Sequence, residues 1–294
     1  MKIVSNRKIW FGFSGVLIIL SLAAIAIWGI KPGIDFTGGS LLEVQFKTVP
    51  PASEIERAFQ DLSLAPPSAQ AGGQEDVRVL RFEPISEEKH QEVVLKLKEE
   101  FGEVNEVRFD SIGPTVGNEL FLRAILAVIL VTFMILFYIA WSFRHVSRPV
   151  PSWAFAGIVI LTFLHDVIIP LGLFAYLGHF KGWEVGSPFI AAILTILGYS
   201  ISDTIVVLDR VRENLRKMKG TFEEIVEASV RQTVTRSINT SVTTMLALTA
   251  ILIFGGASLH AFSLALLVGI FFGTYSSIFI AAPLLVTWYR FRKP

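Results

Sequence analysis

Six stretches of this chain are too long and too apolar for the surface of a water-soluble domain, at about residues 9–30, 119–141, 152–177, 187–208, 236–255 and 260–288. A bilayer core takes about 20 apolar residues as a helix, and a helix satisfies its own backbone polar groups where water cannot. The spacing predicts a polytopic α-helical membrane protein with six transmembrane helices. Only 17% of the residues are charged, against roughly a quarter in soluble domains. The first run follows Lys2, Arg7 and Lys8 as a signal peptide would, yet it is longer than a typical signal core, and Ile30-Lys31-Pro32-Gly33 is a poor cleavage site. It is predicted to remain as an anchor.

Lys and Arg set the orientation. With residues 1–8, 142–151, 209–236 and 289–294 on the cytoplasmic side, fifteen Lys/Arg lie there, whereas the short opposite loops hold only Lys181. The positive-inside rule then puts both termini in the cytoplasm. Residues 31–118 become one extracytoplasmic domain with sixteen Asp/Glu against nine Lys/Arg, a balance that disfavours contact with anionic lipid. The net charge of +1 gives no support for nucleic-acid binding. The expected organisation is a cytoplasmic N-terminus and first helix (1–30), the extracytoplasmic domain (31–118) and five further helices (119–294).

The pattern of 31–118 suggests a small α+β domain. Leu41–Phe46 reads as a strand, Ala52–Leu62 as a helix opened by Ser53, and Val77–Phe82 as a second strand. Ser86 opens an amphipathic helix to Phe101, stopped by Gly102, and Glu103–Asp110 alternates again. The stretch Ala65–Gly73, rich in Pro, Ala and Gly, reads as a loop or as a weak additional strand, and a strand there would complete a ferredoxin-like arrangement. On the cytoplasmic side, Arg210–Arg231 spaces Phe222, Ile225, Val226 and Val230 as for a helix at the membrane interface.

Polar groups inside apolar runs carry the functional signal. Asp203 lies about a turn and a half inside the fourth run, with Thr195 and Tyr199 on its face. A carboxylate at that depth costs ~3 kcal/mol on insertion scales unless protein or water faces it. Either it titrates or binds an ion, or it ties helices together through hydrogen bonds. Arg236, Asn239, Thr240 and Thr243 lie along one face of the fifth run. Arg236 is either the cation facing Asp203 across a watery path or a snorkelling anchor. His165-Asp166 in the third run is a further polar partner for that path or a structural pair, with metal binding the weakest reading because no third ligand stands at suitable spacing. Gly269 and Gly273 form a small-xxx-small face for close helix packing.

Two glycine-bearing elements flank the outer domain. Pro32–Ser40 contains Asp35, Gly38 and Gly39, and Ile112–Gly117 contains Gly113, Pro114 and Gly117. The first reads as a structural connector or as a direct contact for a substrate chain, and together the two look like a paired hinge through which the domain tilts. With no cysteine there is no disulfide, thiolate metal site or Cys nucleophile. No phosphate loop, G-x-S-x-G or H-E-x-x-H is present. No cofactor, metal or enzymatic activity is expected, so any energy used comes from an ion gradient.

Gly33–Gly39, Gly113–Gly117, Gly198–Asn214 with its Asp209-Arg210-Val211-Arg212-Glu213-Asn214 end, Ser237–Ser241 and Gly269–Ser277 resemble, in order and over nearly the whole chain, the SecF branch of the SecD/SecF protein-translocase family. The resemblance implies a bacterial inner-membrane protein of the resistance-nodulation-division type. It implies pairing with SecD, attachment to the SecYEG channel (with SecA indirectly), contact with membrane lipid, and an unfolded secretory polypeptide as substrate. In such proteins the proton-motive force is thought to drive the outer domains, and the family's intramembrane Asp and Arg match Asp203 and Arg236. Ser202 and Leu208 stand where many relatives have Asn and Phe. Other readings are a small-molecule or lipid exporter half of the same superfamily, an embedded enzyme around His165 and Asp166, and a non-conducting scaffold. The residues do not choose between H⁺ and Na⁺.

Overall fold

The apolar runs all fold as helices in the computed structural model, which describes residues 2–59, 68–71, 76–142, 144 and 150–292. In chain order, α1 (Arg7–Trp28) leads into a sheet domain of α2 (Ile34–Thr37), β1 (Gly39–Phe46), α3 (Ala52–Ala58), β2 (Ser68–Ala71), β3 (Val77–Phe82), α4 (Glu87–Phe101) and β4 (Val104–Ile112). The rest is α5 (Pro114–Ser142), α6 (Ser152–Lys181), α7 (Ser187–Lys217), α8 (Phe222–Phe254), α9 (Ala257–Ser276), a π-helical turn (Ser277–Ala281) and α10 (Ala282–Arg292). Among the described residues six helices, the last counted through the π turn, are long and apolar enough to cross a membrane.

The sheet is antiparallel in the order β2-β3-β1-β4. With α3 and α4 as its crossovers it is the expected ferredoxin-like arrangement. Leu42, Val44, Phe46, Leu80 and Phe82 of the sheet meet Ile55, Phe59, Val93 and Leu97 in one apolar core. A bulge between Glu43 and Val44 adjusts β1 against β4. Ser86 caps α4 by accepting from the Lys89 N–H at 3.5 Å, and Gly102 ends it at φ +80°.

One predicted cap and two predicted elements differ in the structure. α3 starts at Ala52 after Pro51, so Ser53 lies inside the helix and is not its cap; the predicted continuation over residues 60–62 falls outside the described residues. α5 begins at Pro114, about a turn earlier than hydropathy suggests, because proline suits a first helical position. The segment 210–231 does not form a separate surface helix. It prolongs α7 and α8 into a hairpin, since nothing breaks the helix between Leu208 and Lys217. Thr221 caps α8 in a reciprocal box with Glu224. The face bearing Phe222, Val226 and Val230 is covered by Val207, Leu208 and Val211, with Ile3 and Val4 in the same core, which leaves it no need of lipid.

The helical bundle has two apolar layers. One, on the basic side, centres on Phe155, Leu197, Leu208 and Leu285. The other, toward the sheet domain, gathers Phe174, Phe189, Ile196 and Leu266, with Phe36 of α2 inserted into it. Val167 packs against both layers, so its neighbour Asp166 lies where they meet.

Candidate functional site

Asp166 on α6 is wholly buried. Its Oδ2 accepts from Ser200 Oγ on α7 at 2.5 Å and from Ser276 Oγ at the end of α9 at 2.7 Å. Its Oδ1 lies 2.8 Å from His165 Nδ1, and the far side of that ring, Nε2, is 3.2 Å from Ser14 Oγ on α1. Ser14 Oγ donates to Tyr275 Oη at 3.3 Å, and Tyr275 donates to the Trp10 carbonyl at 3.2 Å. One hydrogen-bonded chain thus links α1, α6, α7 and α9. Hydrogen bonds to an ionised group are worth roughly 1.5–3 kcal/mol each, comparable with the cost of placing a carboxylate in a membrane.

Asp203 on α7 is half-buried and held by the same chemistry. Ser237 Oγ of α8 donates to Oδ1 at 2.5 Å, and Ser277 Oγ of the π turn donates to Oδ2 at 2.5 Å. A turn away, Tyr199 donates to Ser241 Oγ at 3.4 Å, and Ser241 pairs with Thr274. Extra residues per turn are frequent at functional sites. Here the π segment begins at Ser277, between the two serines that serve different carboxylates.

Small residues permit this approach. A Cβ at Gly273 would sit 3.1 Å from Ser200 Cβ and 3.7 Å from Asp166 Oδ2, and one at Gly269 would collide with the Ile196 side chain. Both glycines therefore set the α7–α9 spacing that brings the serines within reach.

The sheet domain joins the bundle through the flanking elements. Gly38 (φ +74°) and Gly39 (φ +130°) occupy a backbone region that other residues rarely adopt. A Cβ on Gly38 would lie 2.8 Å from Pro114 Cα, and one on Gly117 2.8 Å from the Gly38 nitrogen. The two elements therefore press together backbone to backbone, with Pro114 and Gly117 in the first turns of α5 and Gly113 just before it. Asp35 reaches the other way. Its Oδ2 accepts the Ser187 N–H at 2.6 Å, at the start of the helix that carries Ser200 and Asp203.

Residues 92–291 match the family model for the C-terminal part of the SecD/SecF protein export membrane proteins, and residues 23–48 match that for the SecD/SecF GG motif. The chain is 40% identical to the protein translocase subunit SecF of Sebaldella termitidis, over 100% of its own length and 94% of that protein's. It is also 40% identical to the SecF of Anaerolinea thermophila, over 98% and 94%. The chain belongs to the SecF family of protein-translocase subunits.

Solved relatives extend the match. A crystal structure of SecDF from Thermus thermophilus, a translocon-associated membrane protein, is 32% identical and superposes with a TM-score of 0.87, covering 99% of this chain and 39% of that one. A crystal structure of SecDF in a super-membrane-facing form superposes at 0.69, with the same identity and coverage. The chain spans about two-fifths of those SecDF chains.

Within this SecF-family architecture the predicted polar residues divide. Asp203, Tyr199 and Asp166 are gathered where α6, α7, α8 and α9 meet. Arg236, Asn239 and Thr240 are exposed on another face of α8, and Thr240 Oγ1 donates to the Arg236 carbonyl at 2.9 Å. Arg236 lines a cavity of 290 Å³ with Asp209, Arg210, Glu213 and Gln232. The four serines that hold the carboxylates drew no prediction. Their signal was present as hydroxyls in otherwise apolar runs, but only the fold shows which faces meet. Among the described residues no cluster of three His, Cys, Asp or Glu could hold a metal ion.

Proposed function

We propose that this chain is the SecF half of a pair with SecD that uses the proton-motive force to promote late translocation of unfolded secretory polypeptides through SecYEG. In this reading it is a multi-pass protein of the bacterial inner membrane, with the basic ends of the helices and both termini in the cytoplasm, and it has no enzymatic activity of its own. Asp203 takes up and releases the proton, Asp166 and its serines fix the neighbouring helices, and Arg236 biases Asp203 electrostatically.

The supporting observation is the pairing of Ser276 with Asp166 and Ser277 with Asp203 across a π turn. Two carboxylates on adjacent helices are thereby read by one stretch of backbone, so a change of charge at Asp203 alters what Ser277 can donate to and shifts the helix that also holds Asp166. The exposed polar face of α8 suits a second membrane subunit better than lipid, since lone polar groups facing hydrocarbon are costly. That subunit is SecD in this reading.

The test is export in proteoliposomes holding the full translocase, with a proton gradient imposed after the ATP-driven step is stopped. Asp203→Asn in a complex that still assembles is expected to lose gradient-driven late translocation by tenfold or more, on the order of 1.4 kcal/mol or greater, and to keep the ATP-driven step. Export equal to wild type would leave only a scaffold role.

A further inference from the structure

The loop between α6 and α7 is stitched to the chain leaving α1. Gly33 N–H donates to the Val185 carbonyl and Val185 N–H to the Lys31 carbonyl, both at 2.9 Å, and Pro32 and Val185 form a parallel bridge. Glu184 lies in this seam with its side chain 10% exposed. It pairs with Arg81 of β3, and its Oε1 lies 3.6 Å from Lys31 Nζ. A Cβ at Gly33 would come within 3.4 Å of Glu184 Oε2, so the glycine leaves room for the carboxylate.

Arg81 differs from the other two members of this cluster because it belongs to the folded sheet. It stands opposite Leu41 in the register of β1 and β3, and its side chain is 18% exposed. Burial pushes its guanidinium down to about 10. A guanidinium so poorly hydrated needs its carboxylate: removing one member of a buried pair is far more costly than removing both.

We infer that Glu184 is a positioning residue that latches the sheet domain, through Arg81, to the outer end of α7. Three residues further on, Ser187 begins α7 and donates its N–H to Asp35, so the same short loop fixes both the sheet and the start of the helix that carries Asp203. A rotation or axial shift of α7 therefore reaches the sheet through Glu184 without passing through the glycine-rich connectors. The export consequence rests on the ion-coupled reading above; the latch itself does not. The two SecDF crystal structures differ in how well they superpose on this chain, 0.87 against 0.69.

The chain has no cysteine, so a spin-label pair at the exposed positions Glu99 and Lys181 can report the placement of the sheet domain in the assembled SecD-paired protein. Glu184→Gln is expected to broaden or shift the distance distribution. The exchange Glu184→Arg with Arg81→Glu is expected to restore it, and Glu184→Gln with Arg81→Gln is expected to retain more order than Glu184→Gln alone. An unchanged distribution in assembled Glu184→Gln overturns the latch. So does a charge exchange that assembles but behaves like Glu184→Gln. If Asp203→Asn exports normally while Glu184→Gln shifts the distances, the latch stands and the ion-coupled reading fails. If Asp203→Asn blocks gradient-driven export while Glu184→Gln leaves the distances unchanged, the latch fails and that reading stands.

Discussion

Ser276 and Ser277 are consecutive in the chain, yet Ser276 Oγ donates to Asp166 Oδ2 at 2.7 Å and Ser277 Oγ donates to Asp203 Oδ2 at 2.5 Å. An ordinary α-helical step turns successive side chains about 100° apart, and two helices, α6 and α7, supply the two acceptors. The π turn that starts at Ser277 widens the helix at this junction. The two carboxylates are therefore coupled by one peptide unit, with no direct contact between them.

Ser277→Ala and Ser276→Ala are expected to separate these roles. Losing one donor to a buried carboxylate costs about 1–3 kcal/mol. Ser277→Ala should reduce gradient-driven export about tenfold with little loss of thermal stability, because half-buried Asp203 can recruit water. Ser276→Ala should lower the melting temperature instead, because Asp166 is wholly buried. Thermal unfolding of the purified proteins beside the export assay checks both.

Gly269 and Gly273 set the spacing of α7 and α9. Gly269→Val drives a branched side chain into Ile196, and overpacking of this kind costs about 1–3 kcal/mol. The expected result is a lower melting temperature, partly restored by adding Ile196→Ala. Failure of the second change to restore stability would mean that the glycine serves something other than close packing.

Glu43 predicts a pH dependence of the sheet domain. It is buried on β1, and its carboxyl is raised above the usual range chiefly by desolvation, with Arg108 and His260 lowering it and Asp110 raising it further. A carboxyl raised in the folded state contributes stability at pH below its unfolded value and loses that contribution as pH rises through the folded value. Glu43→Gln is therefore expected to stabilise the sheet domain at pH 8 and to make little difference near pH 4. Amide exchange across β1 and β3 at the two pH values measures this.

Glu227 fastens the amino end, where Trp10 Nε1 also donates to the Ile3 carbonyl at 3.2 Å. The backbone N–H groups of Ile3 and Val4 donate to the two Glu227 oxygens at 2.9 and 2.7 Å, while Arg7 pairs with Glu223 at 3.4 Å. Glu227→Ala should free this segment and speed tryptic cleavage after Arg7 or Lys8 about tenfold, in line with roughly 1–2 kcal/mol of lost hydrogen bonding. Cleavage at the wild-type rate would assign the fastening to the burial of Ile3 and Val4.

Much of this fold is legible in the sequence because hydropathy is a one-dimensional quantity. The six runs, the strands at Leu41–Phe46 and Val77–Phe82 and the cap at Ser86 all follow from local chemistry. Asp203 and Asp166 stand out because carboxylates are costly in hydrocarbon. What lay hidden depends on which faces meet. The α7–α8 hairpin reads as an interfacial helix until Val207, Leu208, Val211, Ile3 and Val4 are seen to cover its apolar side. Ser200, Ser237, Ser276 and Ser277 look like ordinary small residues until four helices converge on them. Depth alone leaves Arg236 either facing Asp203 or anchoring the helix end; in the fold Ser237 is the residue that bonds Asp203, while Arg236, Asn239 and Thr240 lie on the exposed face of α8.

Proton flux is the most direct test of the central claim, that Asp203 carries the ion whose movement is coupled to export. A pH-sensitive dye inside proteoliposomes containing this chain with SecD and the channel would follow proton entry during late translocation. Flux is expected in the wild type, lost in Asp203→Asn and retained in Glu227→Ala. Equal flux in wild type and an assembled Asp203→Asn complex would contradict it.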